Sequence, residues 1–166
     1  MGAKSPRTGD LLAVNRRASQ DYTVLERYEA GVALAGSEVK SIRAGHVTLS
    51  GGFAREENGR LILCEVNIPP YEHGGHYNHS PTRPRQLLMR AREIRNLAQR
   101  LHQAGLSLVP LKLFKKRRWI KVELGLCRGR GRGDKREVLR QRDADRETRR
   151  AMARGASRSG PRRPAA

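Results

Sequence analysis

Two segments in the second half of the chain leave few choices of fold. "LSLVPLKLF" spaces Leu106, Leu108, Leu111 and Leu113 nearly every second residue. "WIKVELGLC" alternates Ile120, Val122, Leu124 and Leu126 with Lys121 and Glu123. A period of two marks strands with one face buried and one face in water. The basic turn Lys115 to Arg118 joins them. Pro110 has no amide hydrogen for a ladder, so it predicts a sheet edge or a bulge inside the first strand.

Shorter segments repeat the pattern upstream. "DYTVLERYEAGVAL" sets Tyr22, Val24, Tyr28, Val32 and Leu34 on strand-like stretches. "LSGGFARE" and "GRLILCEVNI" flank "ENG" at Glu57 to Gly59, a hairpin signal. Two segments have helical spacing instead. "SEVKSIRAG" offers Ser37 as N-cap, Val39 and Ile42 on one face, and Gly45 as a stop. "RAREIRNLAQRLHQAG" places Ile94, Leu97 and Leu101 on one face and stops at Gly105. About six short strands with helices at the corners predict a mostly β fold, a small antiparallel barrel of OB type with flanking helices.

Charge divides the chain. Residues 128–166 hold 14 Lys and Arg against 5 Asp and Glu, nearly half of the net +19. Their large apolar side chains are Val138, Leu139 and Met152. Such a segment cannot bury enough surface to offset its ordering entropy. The sequence therefore predicts a flexible N-terminus over 1–12, a barrel over 13–127 and a basic tail over 128–166, disordered when free. From Asp134 to Arg154 the tail lacks Gly and Pro, and Glu137–Arg140, Asp143–Arg146 and Asp145–Arg149 sit at helical spacing. Each pair contributes only about 0.2–0.5 kcal/mol, so the expected helix forms on contact with a polyanion.

That charge on 18.7 kDa points to a polyanionic partner, nucleic acid before an anionic membrane surface. No apolar run is long enough for a membrane span, and the first residues lack a signal-peptide core. The expected location is cytoplasmic, with Cys64 and Cys127 as buried free thiols. No nucleophile–base arrangement, P-loop or HExxH stands out, and Glu56-Glu57 falls at a hairpin turn, so an enzyme is not expected. "HGGHYNH" spaces His73, His76 and His79 by three. The segment is Gly-rich, with no Cys or carboxylate pair to complete a metal site, so neither metal nor cofactor is expected. "SPTRPRQLL" presents Arg83 and Arg85 on a proline-stiffened loop, equally readable as an ordinary basic loop or as phosphate contacts.

Taken in order, "NRRASQDYTVLERYEAGVALAGSEVKSIRAGHVTL", "PPYE…HSPTRPRQLL", "LVPLKLFKKRRWIKVELGLCRGRG" and "GDKREVLRQRD" resemble the SsrA-binding protein (SmpB) family over roughly residues 13–152. The resemblance implies an OB-type barrel and a non-catalytic, monomeric RNA-binding protein. It implies binding to the tRNA-like domain of transfer-messenger RNA (tmRNA) and delivery of that RNA to stalled ribosomes for trans-translation. The tail would occupy the small-subunit decoding region and the empty mRNA channel. A general OB-fold ribosomal RNA-binding protein is the alternative, and a nuclease using the histidine cluster is a more distant one.

On this resemblance, Tyr22 and Glu29 would line the RNA surface, the first by stacking and the second by accepting base or ribose donors. Asn15 would bond a base edge. Arg16, Arg17 and Arg43 would hold phosphates, with Lys112, Lys121 and Arg128 as further phosphate contacts and Arg130 and Arg132 tracking the backbone beyond the barrel. Without the resemblance, core packing is the expectation for Tyr22 and a structural ion pair for Glu29. Asp134, Lys135 and Arg136 match the family's ribosome-engaging motif, and Met152 matches a later tail position. The chain departs from the family at Gly133, where many members carry an aromatic or His, and at Arg117-Arg118, often Asn-Gly.

Overall fold

The computed structural model describes residues 11–72, 79–102 and 105–130. The elements run β1 (Leu11–Val14), α1 (Ala18–Asp21), β2 (Tyr22–Val32), α2 (Gly36–Arg43), β3 (Phe53–Glu57), β4 (Arg60–Cys64), β5 (Arg85–Leu88), α3 (Ala91–Leu101), β6 (Leu106–Lys116) and β7 (Trp119–Gly129). The fold is mostly β, with seven strands among the described residues where about six are expected.

All pairings are antiparallel. The order β6-β3-β4-β5-β2-β7 closes on itself through the β6–β7 hairpin, and β1 adds outside on β6. Closure is thin at one place, where β3 meets β6 at Ala54↔Leu108. The second edge of β6 is thus shared, with β3 near Leu108 and β1 along Lys112 to Phe114. Leu11 and Leu12, which the sequence placed in the N-terminal segment, belong to this strand. At the other end β7 takes in Arg128 and Gly129, which pair with Thr23 and Tyr22.

Between the two edge partners of β6 lies Pro110. The register slips there, with Pro110 opposite Leu124 and Lys112 opposite Glu123, so Leu111 is the extra residue of a bulge. The expected bulge is present, but it changes where Leu111 goes. Leu106, Leu108 and Leu113 pack toward the main core with Val122, Leu124 and Leu126. Leu111 instead joins Ala18, Val109 and Cys127 in a second cluster. Gly125 makes room for it, because a Cβ there would lie 2.9 Å from Leu111 Cδ1.

The main core also takes Ile42 from α2 and Leu97 from α3. Each fully buried side chain of this size stabilises the fold by about 1.5–3 kcal/mol. Local signals place the elements. The β3–β4 turn is Asn58-Gly59, both at positive φ (52° and 74°), as a two-residue hairpin turn requires. After α2, Gly45 donates to the Ile42 carbonyl and His46 to that of Ser41, the paired bonds of a Schellman stop. The start of α2 differs from expectation. Its N-cap is Ala35, not Ser37, and the Glu38 carboxylate accepts the Ala35 amide at 2.8 Å.

Cys64 and Cys127 are free and buried, as expected. Burial pushes the Cys127 thiol up to about 11, against a small opposing effect of Arg27. Cys127 should therefore remain unmodified by iodoacetamide at pH 8 in the native protein and react fully in denaturant. Peptide mass spectrometry reads the difference, and rapid native labelling would contradict this burial.

Candidate nucleic-acid interface

A short corner leads from β1 into β2, and Asn15 holds it. The Asn15 amide nitrogen donates to the carbonyls of Leu49 (3.2 Å) and Pro110 (3.0 Å), and its oxygen accepts the Ala18 amide (3.1 Å). At 6% exposure with both donors in use, Asn15 is committed to the fold. The base-edge role implied by the resemblance is corrected to a structural one. The fixed corner turns Arg16 and Arg17 out to solvent.

Tyr22 follows directly. It packs against the second cluster of Ala18, Val109, Leu111 and Cys127. It also lines an open cleft of about 530 Å³ with Arg17, Asp21, Phe53, Arg55 and His102. Core packing and surface presentation, read from sequence as alternatives, coexist in this one side chain. A half-buried ring held by packing is a ready stacking platform, since little rotamer freedom remains to be lost.

A second group lies on the outer face of β2, β7 and β6. Register puts Glu29 directly opposite Glu123, and like charges so placed repel. Cations on each side resolve the conflict. Glu29 accepts from Lys116 (2.9 and 3.0 Å) and Lys121 (2.5 Å). Glu123 accepts from Arg27 at 2.8 Å, with Lys112 4.0 Å away. Burial would raise the Glu29 pKa, but bonds from Lys121 and Lys116 outweigh it and hold this carboxyl below its ordinary range. The structure thus gives Glu29 an ion-pair role, and any RNA donor must compete with two lysines. Lys112 and Lys121 are likewise engaged with carboxylates rather than standing as isolated phosphate contacts. Glu29 and Lys121 share a shallow hollow of about 700 Å³ with Arg27, Tyr28, Leu88 and Arg90.

At the Arg83–Arg85 loop the structure decides between the two readings the sequence left open. Arg85 is 1% exposed, bonded to Glu38 (2.9 Å) and to the carbonyls of Val66, Arg83 and Pro81 (2.8, 3.0 and 2.9 Å). Arg83 also grips Glu38, through Nε at 2.8 Å and Nη2 at 2.6 Å. These bonds clasp the loop to α2 and commit both guanidinium groups to protein partners.

The remaining positions are dispersed. Arg43 is exposed on the last turn of α2 and lines neither hollow, and Arg128 is exposed on β7. Arg130 is half-buried just beyond β7. Arg132, Asp134, Lys135, Arg136 and Met152 lie outside the described residues, as do Gly133, His73 and His76. Sequence reasoning missed Phe53, Arg55 and His102 in the cleft and Lys116 beside Glu29. Only Lys116 carried a local signal, as part of the basic turn. Among the described residues no helix is long and apolar enough to cross a membrane.

Comparison with known proteins places this arrangement. The family model for the SmpB protein matches residues 12–154. The SsrA-binding protein of Carboxydothermus hydrogenoformans is 53% identical over 142 residues, covering 86% of this chain and 95% of that one. That of Roseiflexus sp. (strain RS-1) is 50% identical, covering 86% and 90%. A solved structure described as "tmRNA-SmpB: a journey to the center of the bacterial ribosome" contains a chain 49% identical, with a TM-score of 0.64, covering 77% of this chain and 94% of that one. With its barrel and the first part of its basic tail both inside the matched span, this chain belongs to the SmpB family.

Proposed function

We propose that the protein binds the tRNA-like domain of tmRNA through its barrel and delivers that RNA to stalled ribosomes for trans-translation. It acts in the cytoplasm as a non-enzymatic adaptor. The observation that carries this reading is the extent of the family match, residues 12–154, which spans the cleft at Tyr22 and the tail motif Asp134-Lys135-Arg136 together. Tyr22 stacks on an unpaired base, Arg16 and Arg17 hold phosphates beside it, and the tail from Asp134 through Met152 engages the decoding region and the mRNA channel.

Selectivity tests it. Affinity for the isolated tRNA-like domain is compared with that for a structured RNA of equal size, at low and moderate salt. A specific binder keeps its preference as salt rises. A general basic protein loses affinity for both RNAs steeply, because counterion release dominates. Equal affinities at moderate salt would return the protein to the general OB-fold class.

A single substitution refines the test. Tyr22→Ala should weaken binding of the tRNA-like domain about tenfold, within the roughly 1–3 kcal/mol range of base stacking on an aromatic, while Tyr22→Phe keeps most of the affinity. The main core lies elsewhere, so circular dichroism should show both variants folded. A folded alanine variant with unchanged affinity would remove Tyr22 from the interface.

A further inference from the structure

The β6–β7 hairpin ends in an exposed aromatic that neither hollow absorbs. Trp119 is 65% exposed, the most exposed large hydrophobic side chain among the described residues. It opens β7 directly opposite Lys116. By the two-residue period of the strand it shares the outward face with Lys121. Lys116 and Lys121 both bond Glu29, so the ring stands beside a lysine pair fixed by one carboxylate. Lys115, Arg117 and Arg118 complete the tip and are exposed. Arg117 adopts φ +57°, a left-handed conformation that glycine would occupy without strain. An arginine is held at the tip where glycine would fit without strain.

We propose that this tip is a second RNA contact, in which Trp119 stacks on an unpaired base and Lys115, Arg117 and Arg118 hold the flanking phosphates. An exposed indole within a cationic run suits a nucleic acid, because every base offers a π face and the phosphates match the charge. The occupant is the tRNA-like domain of tmRNA. The tip stands on β7, the strand whose other end borders the Tyr22 contact assigned above to that RNA. This inference rests on the proposed function and extends it. Tyr22 pairs with Gly129 at the far end of β7, so the two aromatics mark opposite ends of a strand about 30–35 Å long, by the usual rise per residue. An RNA touching both would be fixed in orientation as well as in position.

The chain has one tryptophan, so emission excited at the red edge of the absorption band, beyond tyrosine, reports on Trp119 alone. The full-length protein is titrated with the isolated tRNA-like domain while binding is followed independently by filter retention. Emission should be quenched in step with retention and saturate at one RNA per protein. Trp119→Ala should weaken retention about tenfold with an unchanged salt slope, whereas Trp119→Phe keeps most of the affinity. Arg117→Ala with Arg118→Ala should lower the slope of log affinity against log salt by about 2. If the RNA is retained while emission stays constant and Trp119→Ala binds normally, the tip contact is overturned and the proposed function stands. If emission changes only when small ribosomal subunits are added, the tip belongs to ribosomal RNA and the assignment to tmRNA is wrong. If the tRNA-like domain is not retained at all, the proposed function fails first.

Discussion

Replacing Glu38 with glutamine is expected to remove about 3–5 kcal/mol of folding stability, the range for breaking a buried ion pair on one side only. The reason is geometric. The Glu38 carboxylate accepts four bonds, from Arg83 Nε and Nη2, Arg85 Nε and the Ala35 amide. The Arg85 side chain is 0% exposed, so without Glu38 its guanidinium has no counter-charge and little access to water. A glutamine would also turn an amide donor toward guanidinium donors. The loss is a large share of the roughly 5–15 kcal/mol that holds a domain folded. Urea unfolding should show a much lower midpoint with an unchanged slope. A change below about 1 kcal/mol, the scale of an exposed ion pair, would mean that Arg85 finds water or another anion.

The same clasp predicts a pH dependence. Burial alone would raise the Glu38 pKa, but the bonds from Arg83, Ala35 and Arg85 outweigh it and hold it below the ordinary 4.5. A carboxyl with a depressed folded pKa contributes stability above its unfolded pKa, and the contribution is lost as pH falls through the folded value. Wild-type stability should thus decline as the solution is acidified below about 4.5, and the Glu38→Gln variant should show a shallower decline. Parallel pH profiles for the two proteins would show that Glu38 does not contribute in this way.

The second large effect is functional. A chain ending at Arg130 should keep its preference for the tRNA-like domain and lose peptide tagging on stalled ribosomes. The cut belongs after Arg130, not after Cys127, because Arg128 and Gly129 still pair with β2. It removes 12 basic and 5 acidic residues, so non-specific affinity and salt slope should both fall. Specific affinity at moderate salt should change little. A reconstituted tagging assay with a message lacking a stop codon reads the outcome. Normal tagging by the shortened chain would reduce the tail to a source of charge. Loss of RNA selectivity would move part of the RNA site into it.

The candidate site was only partly legible. Arg17 and Tyr22 are close in sequence and close in the cleft, so reading them together was sound. Phe53, Arg55 and His102 reach the same cleft from β3 and the end of α3, and no local pattern announces that meeting. Lys116 looked like one cation in a turn until register set it beside Glu29, 87 positions away. Arg83 and Arg85 stood open between an ordinary loop and phosphate contacts, because a basic, proline-flanked loop has the same local appearance on a surface or in a core.

By itself the sequence determined the β period of the long hairpin, the Asn58-Gly59 turn, the stop at Gly45 and an irregularity at Pro110, an edge or a bulge. Each depends on backbone sterics or on neighbours a few positions apart, and those interactions act before any fold exists. Tertiary structure alone decided that Leu111 leaves the main core, that Asn15 is a bracket and not a reader of bases, and that Arg85 is buried. An arginine can be buried only if an anion meets it. Here that anion is Glu38, 47 positions away, brought into contact by the pairing of β5 with β2, the strand that leads into α2.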